Sequence, residues 1–386
     1  MRVLSVCFMF VILSACQSIP DVTFLKSDLL FDQGFDGFAD IPIETEKDIF
    51  ELNQEAKAFA RSSVKGVFKP EEKIETLVQH IFSRSDLNLL YRADANTVAN
   101  QTFQNRAANC LSMSIMTFAL AQELGFEVRF QDIKVPEYWT IREGQSLLNR
   151  HINLQILPRQ KNRIHFHFKK KGYEVDFDAQ ATRQHFPKTL LKRKQVVAMF
   201  HNNNGADALL KNDYVKAYAY FRSAILQSPD LSSAFANLGY LYRLSGHYAF
   251  SENAYLQAIK TDKNNLSAWR NLSHLYRYMG QHQKAKDIVS RVARKRASNP
   301  FFHINKGDQA FEKQQWEVAL QHYKRALKLD RSYHEVFFGL AKTYFALGDF
   351  QRSQHFLQLA KKKSRTAQEQ TIYQGKLKLL ASIKSG

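Results

Sequence analysis

The chain has 386 residues, enough for two or three domains that each bury a core, and its 45% hydrophobic and 24% charged content excludes both a disordered polymer and a many-spanning membrane protein. Lys and Arg number 55 against 36 Asp and Glu, and the net charge of +19 favours acidic partners or anionic surfaces.

The N-terminus opens MRVLSVCFMFVILSACQSIP: Arg2 is a short positive region, Val3 to Ala15 an apolar run of 13 residues, and Leu13-Ser14-Ala15-Cys16 a small-residue cleavage site. Thirteen residues are too few for a bilayer core that needs about 20 in a helix, so residues 1–15 read as a cleaved signal. Leu-Ser-Ala-Cys resembles a bacterial lipobox. That resemblance implies cleavage before Cys16, its lipidation, and a membrane partner through the acyl chains, each buried CH₂ adding about 0.8 kcal/mol. Gln17 resembles the residue that follows the lipidated cysteine in lipoproteins sent to the outer membrane. The expected location is therefore the bacterial envelope, facing the periplasm, with no nucleic acid as partner.

Residues 16–48 read as a tether, because Gly34, Gly37 and Pro42 break any regular period. Helical spacing then covers Ile49 to Lys65 and Pro70 to Phe82. In RAANCLSMSIMTFALAQELGF, Asn109 is placed to cap a buried helix that Gly125 stops, which puts Cys110 on its first turn. Cys7 leaves with the signal and Cys16 is assigned to lipid, so Cys110 has no cysteine left to bridge. Two readings stand: a buried packing thiol, or a thiolate favoured by the helix N-terminus. Strands follow at Glu127 to Asp132, His151 to Ile156, Arg163 to Phe168 and Tyr173 to Asp178. His165 and His167 share a face without a third clustered ligand, so no metal is expected, and no motif calls for a cofactor.

A cysteine at a helix start, then a histidine and a carboxylate on strands, is the order of a thiol nucleophile, its base and an orienting group. Here the chain resembles the transglutaminase-like superfamily, which has a papain-type α+β fold. Arg106-Ala107-Ala108-Asn109-Cys110 sits where that family has Arg-x-Gly-x-Cys, Arg150-His151-Ile152-Asn153 at its histidine strand and Glu174-Val175-Asp176 at its aspartate strand. Spacing alone does not separate Asp176 from Asp178; the resemblance selects Asp176. It implies a catalytic set of Cys110, His151 and Asp176 within a domain over residues 49–197. An oxyanion site needs a donor besides the Cys110 N–H, and Gln104 is the available side chain.

From Ala198 a 34-residue frame runs five times, restarting at Ser232, Leu266, Pro300 and His334. Position 8 is small (Gly205, Gly239, Ser273, Gly307, Ala341), and position 24 is a bulky apolar filler (Phe221, Tyr255, Val289, Tyr323, Leu357). This resembles the tetratricopeptide repeat and implies an all-α solenoid over 198–367 closed by a helix in 368–386. In that family the first helix of each repeat lines a groove through positions 2, 5, 9 and 12. Those positions give a cationic end with Tyr240, Arg243, Arg270, His274 and Arg277, and an aromatic end with Ile304, Phe311, Phe338, Lys342 and Phe345. The partner so implied is an extended, partly acidic peptide. Two functions follow: an envelope-anchored cysteine hydrolase or acyl transferase acting on protein or peptide amides its repeats recruit, or a non-catalytic scaffold that uses the repeats for protein binding.

Overall fold

The structure, a computed structural model, describes residues 24–133, 141–142, 145–146, 151–158, 173–177, 188–364 and 367–385. Its N-terminal half holds α1 (Lys26–Leu29), α2 (Glu46–Phe50), α3 (Gln54–Ser63), α4 (Pro70–Phe82), β1 (Leu90–Tyr91), α5 (Ala99–Asn105), β2 (Ala107–Ala108) and α6 (Cys110–Glu123). The strands β3 (Glu127–Ile133), β4 (Ile141–Arg142), β5 (Gln145–Ser146), β6 (His151–Leu157), β7 (Tyr173–Val175) and β8 (Lys188–Leu191) follow. Four of them form an antiparallel sheet in the order β7-β6-β3-β8. The single helix expected from Ile49 is two, because Asn53 accepts from the Ala56 N–H at 2.8 Å and starts a new helix after α2.

Helix α6 runs through the middle of this half, with every residue from Leu111 to Ala121 buried. Alternation along the strands turns Val128, Phe130, Ile152, Leu154 and Ile156 into the same apolar core, where Phe118 and Phe130 stack at 4.6 Å. Gly125, at φ 79°, ends the helical run as expected, in a backbone region that suits glycine.

The second half is helical: α7 (Arg193–Leu210), α8 (Tyr214–Gln227), α9 (Ser232–Leu244), α10 (Tyr248–Thr261), α11 (Leu266–Tyr278), α12 (His282–Ala297), α13 (Pro300–Glu312), α14 (Trp316–Leu329), α15 (His334–Ala346), α16 (Phe350–Lys363) and α17 (Ala367–Ser385). The frame restarts at Ser232, Leu266, Pro300 and His334 coincide with the starts of α9, α11, α13 and α15, whereas Ala198 falls inside α7. Glycines at position 8 let the paired helix put a ring against the backbone: a Cβ on Gly205, Gly239 or Gly307 would meet Phe221, Tyr255 or Tyr323 at 2.6 to 2.8 Å. Repeat three departs from this pattern, since Ser273 fills position 8 and Val289 at position 24 is 53% exposed rather than a buried filler.

The segment expected as a tether is folded from residue 24 onward. It packs along the second helices of repeats one and two, with Phe35 stacked on Tyr218 at 4.4 Å and Phe31 on Phe250 at 4.4 Å. Tyr242 Oη accepts from the Phe31 N–H and donates to the Leu29 carbonyl, and Asp32 accepts from Tyr218 Oη at 2.6 Å and from Arg222 Nε at 2.8 Å. Buried aromatic surface and satisfied polar groups hold this strap down, where composition alone had predicted a spacer. None of the described helices is long and apolar enough to cross a membrane.

Candidate functional site

Cys110 opens α6, half-buried and in no disulfide. Its turn is fixed from several sides. Asn109 accepts from the Ser112 N–H at 2.9 Å as the expected N-cap, and its own N–H donates to the Ala95 carbonyl at 2.9 Å. Arg106 closes α5 at φ 53°, so the chain enters the turn from a left-handed residue. β1 and β2 then pair in parallel across Leu90 and Ala107.

Asn109 Nδ2 also donates to Asn96 Oδ1 at 3.2 Å, and Asn96 Nδ2 donates to the Phe200 carbonyl at 3.1 Å and to Asn204 Oδ1 at 2.8 Å, both on α7. Asn96 thus joins the cap of the Cys110 helix to the first repeat. Sequence reasoning missed this link, although Asn202-Asn203-Asn204 within a helix is a visible polar signal.

His151 opens β6 with its backbone paired to Ile133, and Asp176 directly follows β7, the neighbouring strand, half-buried. The His151 side chain, Cys16, His165, His167 and Asp178 lie outside the described residues, and Gln104 is exposed on α5. Beside His151 on the strand register, Asn153 and its cross-strand partner Gln131 are buried, and among the described residues Oδ1 of the first and Oε1 of the second have no hydrogen-bond partner. Such buried unmet acceptors are uncommon and were not foreseen.

The two ends of the expected groove differ. At the cationic end, the Arg243 guanidinium lies 4.8 Å from the centre of the Tyr240 ring, and its buried Nε has no hydrogen-bond partner. Among the described residues none of Arg243, Arg270 and Arg277 forms an ion pair; Arg270, His274 and Arg277 are exposed on α11. Although exposed at its edge, the His274 ring is partly desolvated by its neighbours, and this, then the charges of Arg277, Arg270 and Arg243, push its pKa below the usual histidine value. Positive charge is therefore concentrated there with no ion pair among the described residues.

At the aromatic end the side chains are already engaged. Lys342 pairs with Asp308 at 2.7 Å and lies over Phe311 at 4.4 Å, Phe338 packs on Tyr373 of α17 at 5.5 Å, and Ile304 is buried rather than lining a groove. Asp308 occupies the groove position 9 of repeat four, and its charge offsets the lysine counted there.

Residues 232–265 match the family model described as tetratricopeptide repeat, and 307–348 match one described as TPR repeat. Among solved structures the chain is similar to YrrB, titled a TPR protein with an unusual peptide-binding site, at 14% identity over 45% of this chain and 89% of that one, TM-score 0.24. It is similar to pilF of Pseudomonas aeruginosa at 14% identity, covering 46% and 82%, TM-score 0.26. It is also similar to MamA of Desulfovibrio magneticus RS-1 at 13% identity, covering 43% and 94%, TM-score 0.25. At these TM-scores the likenesses add nothing to the repeats themselves. No curated protein matches the chain. Residues 232–265 and 307–348 are thus tetratricopeptide repeats within an all-helical solenoid that fills the C-terminal half.

Proposed function

We propose that the chain is an envelope lipoprotein, anchored through Cys16, whose repeats capture an acidic stretch of a protein partner at Tyr240, Arg243, Arg270, His274 and Arg277. The observation that carries the binding reading is the arginine cluster, which forms no ion pair among the described residues and whose mutual repulsion an anionic ligand relieves. Replacing Arg243, Arg270 and Arg277 together by Glu is expected to abolish capture of a glutamate-rich probe peptide in fluorescence anisotropy. Unchanged affinity in that variant, or affinity indifferent to salt, would return these arginines to solvation. Palmitate labelling of wild type but not Cys16→Ser is the outcome expected for the anchor.

A second reading adds catalysis, and the placement of Cys110 favours it: a half-buried thiol on the first turn of a capped, buried helix that packs against the sheet containing His151. In this reading the helix N-terminus stabilises the thiolate, His151 takes its proton and Asp176 orients the imidazole; the thiolate attacks an amide carbonyl, the C–N bond breaks as His151 returns the proton to the leaving amine, and a thioester acyl-enzyme remains. Hydrolysis or transfer to an amine then releases the acyl group. Iodoacetamide alkylation of Cys110 against pH is expected to titrate below the free-thiol value of about 8.5, and His151→Ala to raise that midpoint. A thiol reactive only after denaturation leaves the scaffold reading alone.

A further inference from the structure

We propose that the second-helix face of repeats three to five, formed by α12, α14 and α16, rests on an anionic phospholipid surface. The positive charge of the solenoid is gathered there. Helix α12 carries Lys284, Lys286, Arg291, Arg294, Lys295 and Arg296 against Asp287; α14 carries three basic residues against Glu317; and α16 ends in Lys361 to Lys363 with no acid in the helix. Lys284, Lys286, Arg291 and Arg294 are exposed and form no ion pair among the described residues.

The strap reaches the solenoid chiefly from the side of the second helices: its rings stack on α8 and α10 and Asp32 pairs with Arg222 of α8, while Tyr242 of the first helix α9 holds its backbone. Asn253 Nδ2 of α10 donates to the Asp28 carbonyl at 3.1 Å. The adjacent Glu252 accepts from Tyr276 Oη at 2.6 Å, and Lys284 Nζ sits 4.9 Å from the Tyr276 ring centre. The strap at Asp28 thus connects to the basic flank of α12 by way of Asn253 and Glu252 on α10 and Tyr276 on α11. From Cys16 to Phe24 is eight residues, which reach at most about 28 Å when extended. A bilayer holding Cys16 lies no farther than that from the strap, and the basic surface attracts anionic lipid wherever it comes within about 8 Å of the headgroups. This distance rests on the anchoring proposed above; the charge distribution does not.

The test is cosedimentation of the full chain with vesicles of phosphatidylcholine alone or with 30% phosphatidylglycerol, a lipid fraction set by the experimenter as roughly that of an anionic leaflet. Binding to the anionic vesicles is expected to exceed neutral binding, and Lys284→Gln, Arg291→Gln and Arg294→Gln together are expected to cut that excess by on the order of a hundredfold. Exposed glutamines keep the fold, which an unchanged helical melt verifies. Removing equal charge from the groove, with Arg243, Arg270 and Arg277 to Gln, is expected to leave the excess largely intact. Equal losses in the two triple variants would reduce the effect to net charge and overturn the proposal. So would tighter binding to a DNA duplex than to anionic vesicles. The same excess in the Cys16→Ser chain supports the surface whatever the fate of the anchor, and an excess lost with Cys16 alone overturns it.

Discussion

Repeats one to three and repeats four and five are cut from one 34-residue frame yet belong to different cores. A continuous apolar cluster runs from Leu29 of the strap through α6 and the sheet to Ile288 in α12, while Phe301 to Tyr344 form a second cluster and Phe337 to Tyr373 a third. The break falls where repeat three lacks the ring on glycine that repeats one, two and four possess. A frame of small and large positions suffices to set helix starts. Continuity between neighbouring repeats depends instead on how much filler each position 24 supplies.

The largest test of this contrast is Tyr255→Ala against Tyr323→Ala. Both rings are fully buried, and each truncation is expected to cost about 3–5 kcal/mol. Hydrogen exchange is expected to show protection lost in α6 and the sheet for Tyr255→Ala, and only beyond α12 for Tyr323→Ala. Identical exchange patterns would merge the cores.

Next in size is Asp32→Ala. It leaves the buried Tyr218 hydroxyl and Arg222 without their acceptor, at an expected cost of about 1–3 kcal/mol by denaturant unfolding, all of it in the first core. A silent substitution would show the strap to be a passenger.

A pH test comes third. His201 is buried, its Nε2 2.9 Å from the Glu44 carbonyl and its Nδ1 3.0 Å from Ser223 Oγ, and burial lowers its pKa despite the opposing pull of Glu44. The folded state therefore prefers the neutral ring. Its contribution to stability is present above the unfolded value of about 6.5 and is lost as pH falls through the lower folded value. The melting temperature of His201→Gln is expected to fall less between pH 7 and 5 than that of wild type.

The smallest effect is reserved for Val289→Ala, where an exposed side chain is expected to change stability by less than about 0.5 kcal/mol, far below the buried Phe221→Ala.

The solenoid was legible because its signal is periodic: Ser232, Leu266, Pro300 and His334 each start a helix, and the small residues Ala217, Ser251, Ala285, Ala319 and Ser353, 34 apart in the same frame, are all buried. The α6 helix was legible through Asn109 and Gly125, two residues with local conformational reasons to stand at its ends. The strap was not, because Phe31, Phe35 and Phe38 dock through contacts nearly two hundred residues away that leave no period; aromatic rings in a supposed spacer were the only clue. At the aromatic end of the groove, counting positions did not reveal that Phe338 packs on Tyr373 and that Lys342 pairs with Asp308, because those contacts join different helices.

Asn96 gives the molecule a mechanical property. One side-chain amide grips the turn that begins the Cys110 helix and the third turn of the first repeat helix, so the two cannot slide independently while its hydrogen bonds hold. A partner that tilts α7 on entering the solenoid therefore pulls, through the bonds of Asn96, on the turn that carries the thiol.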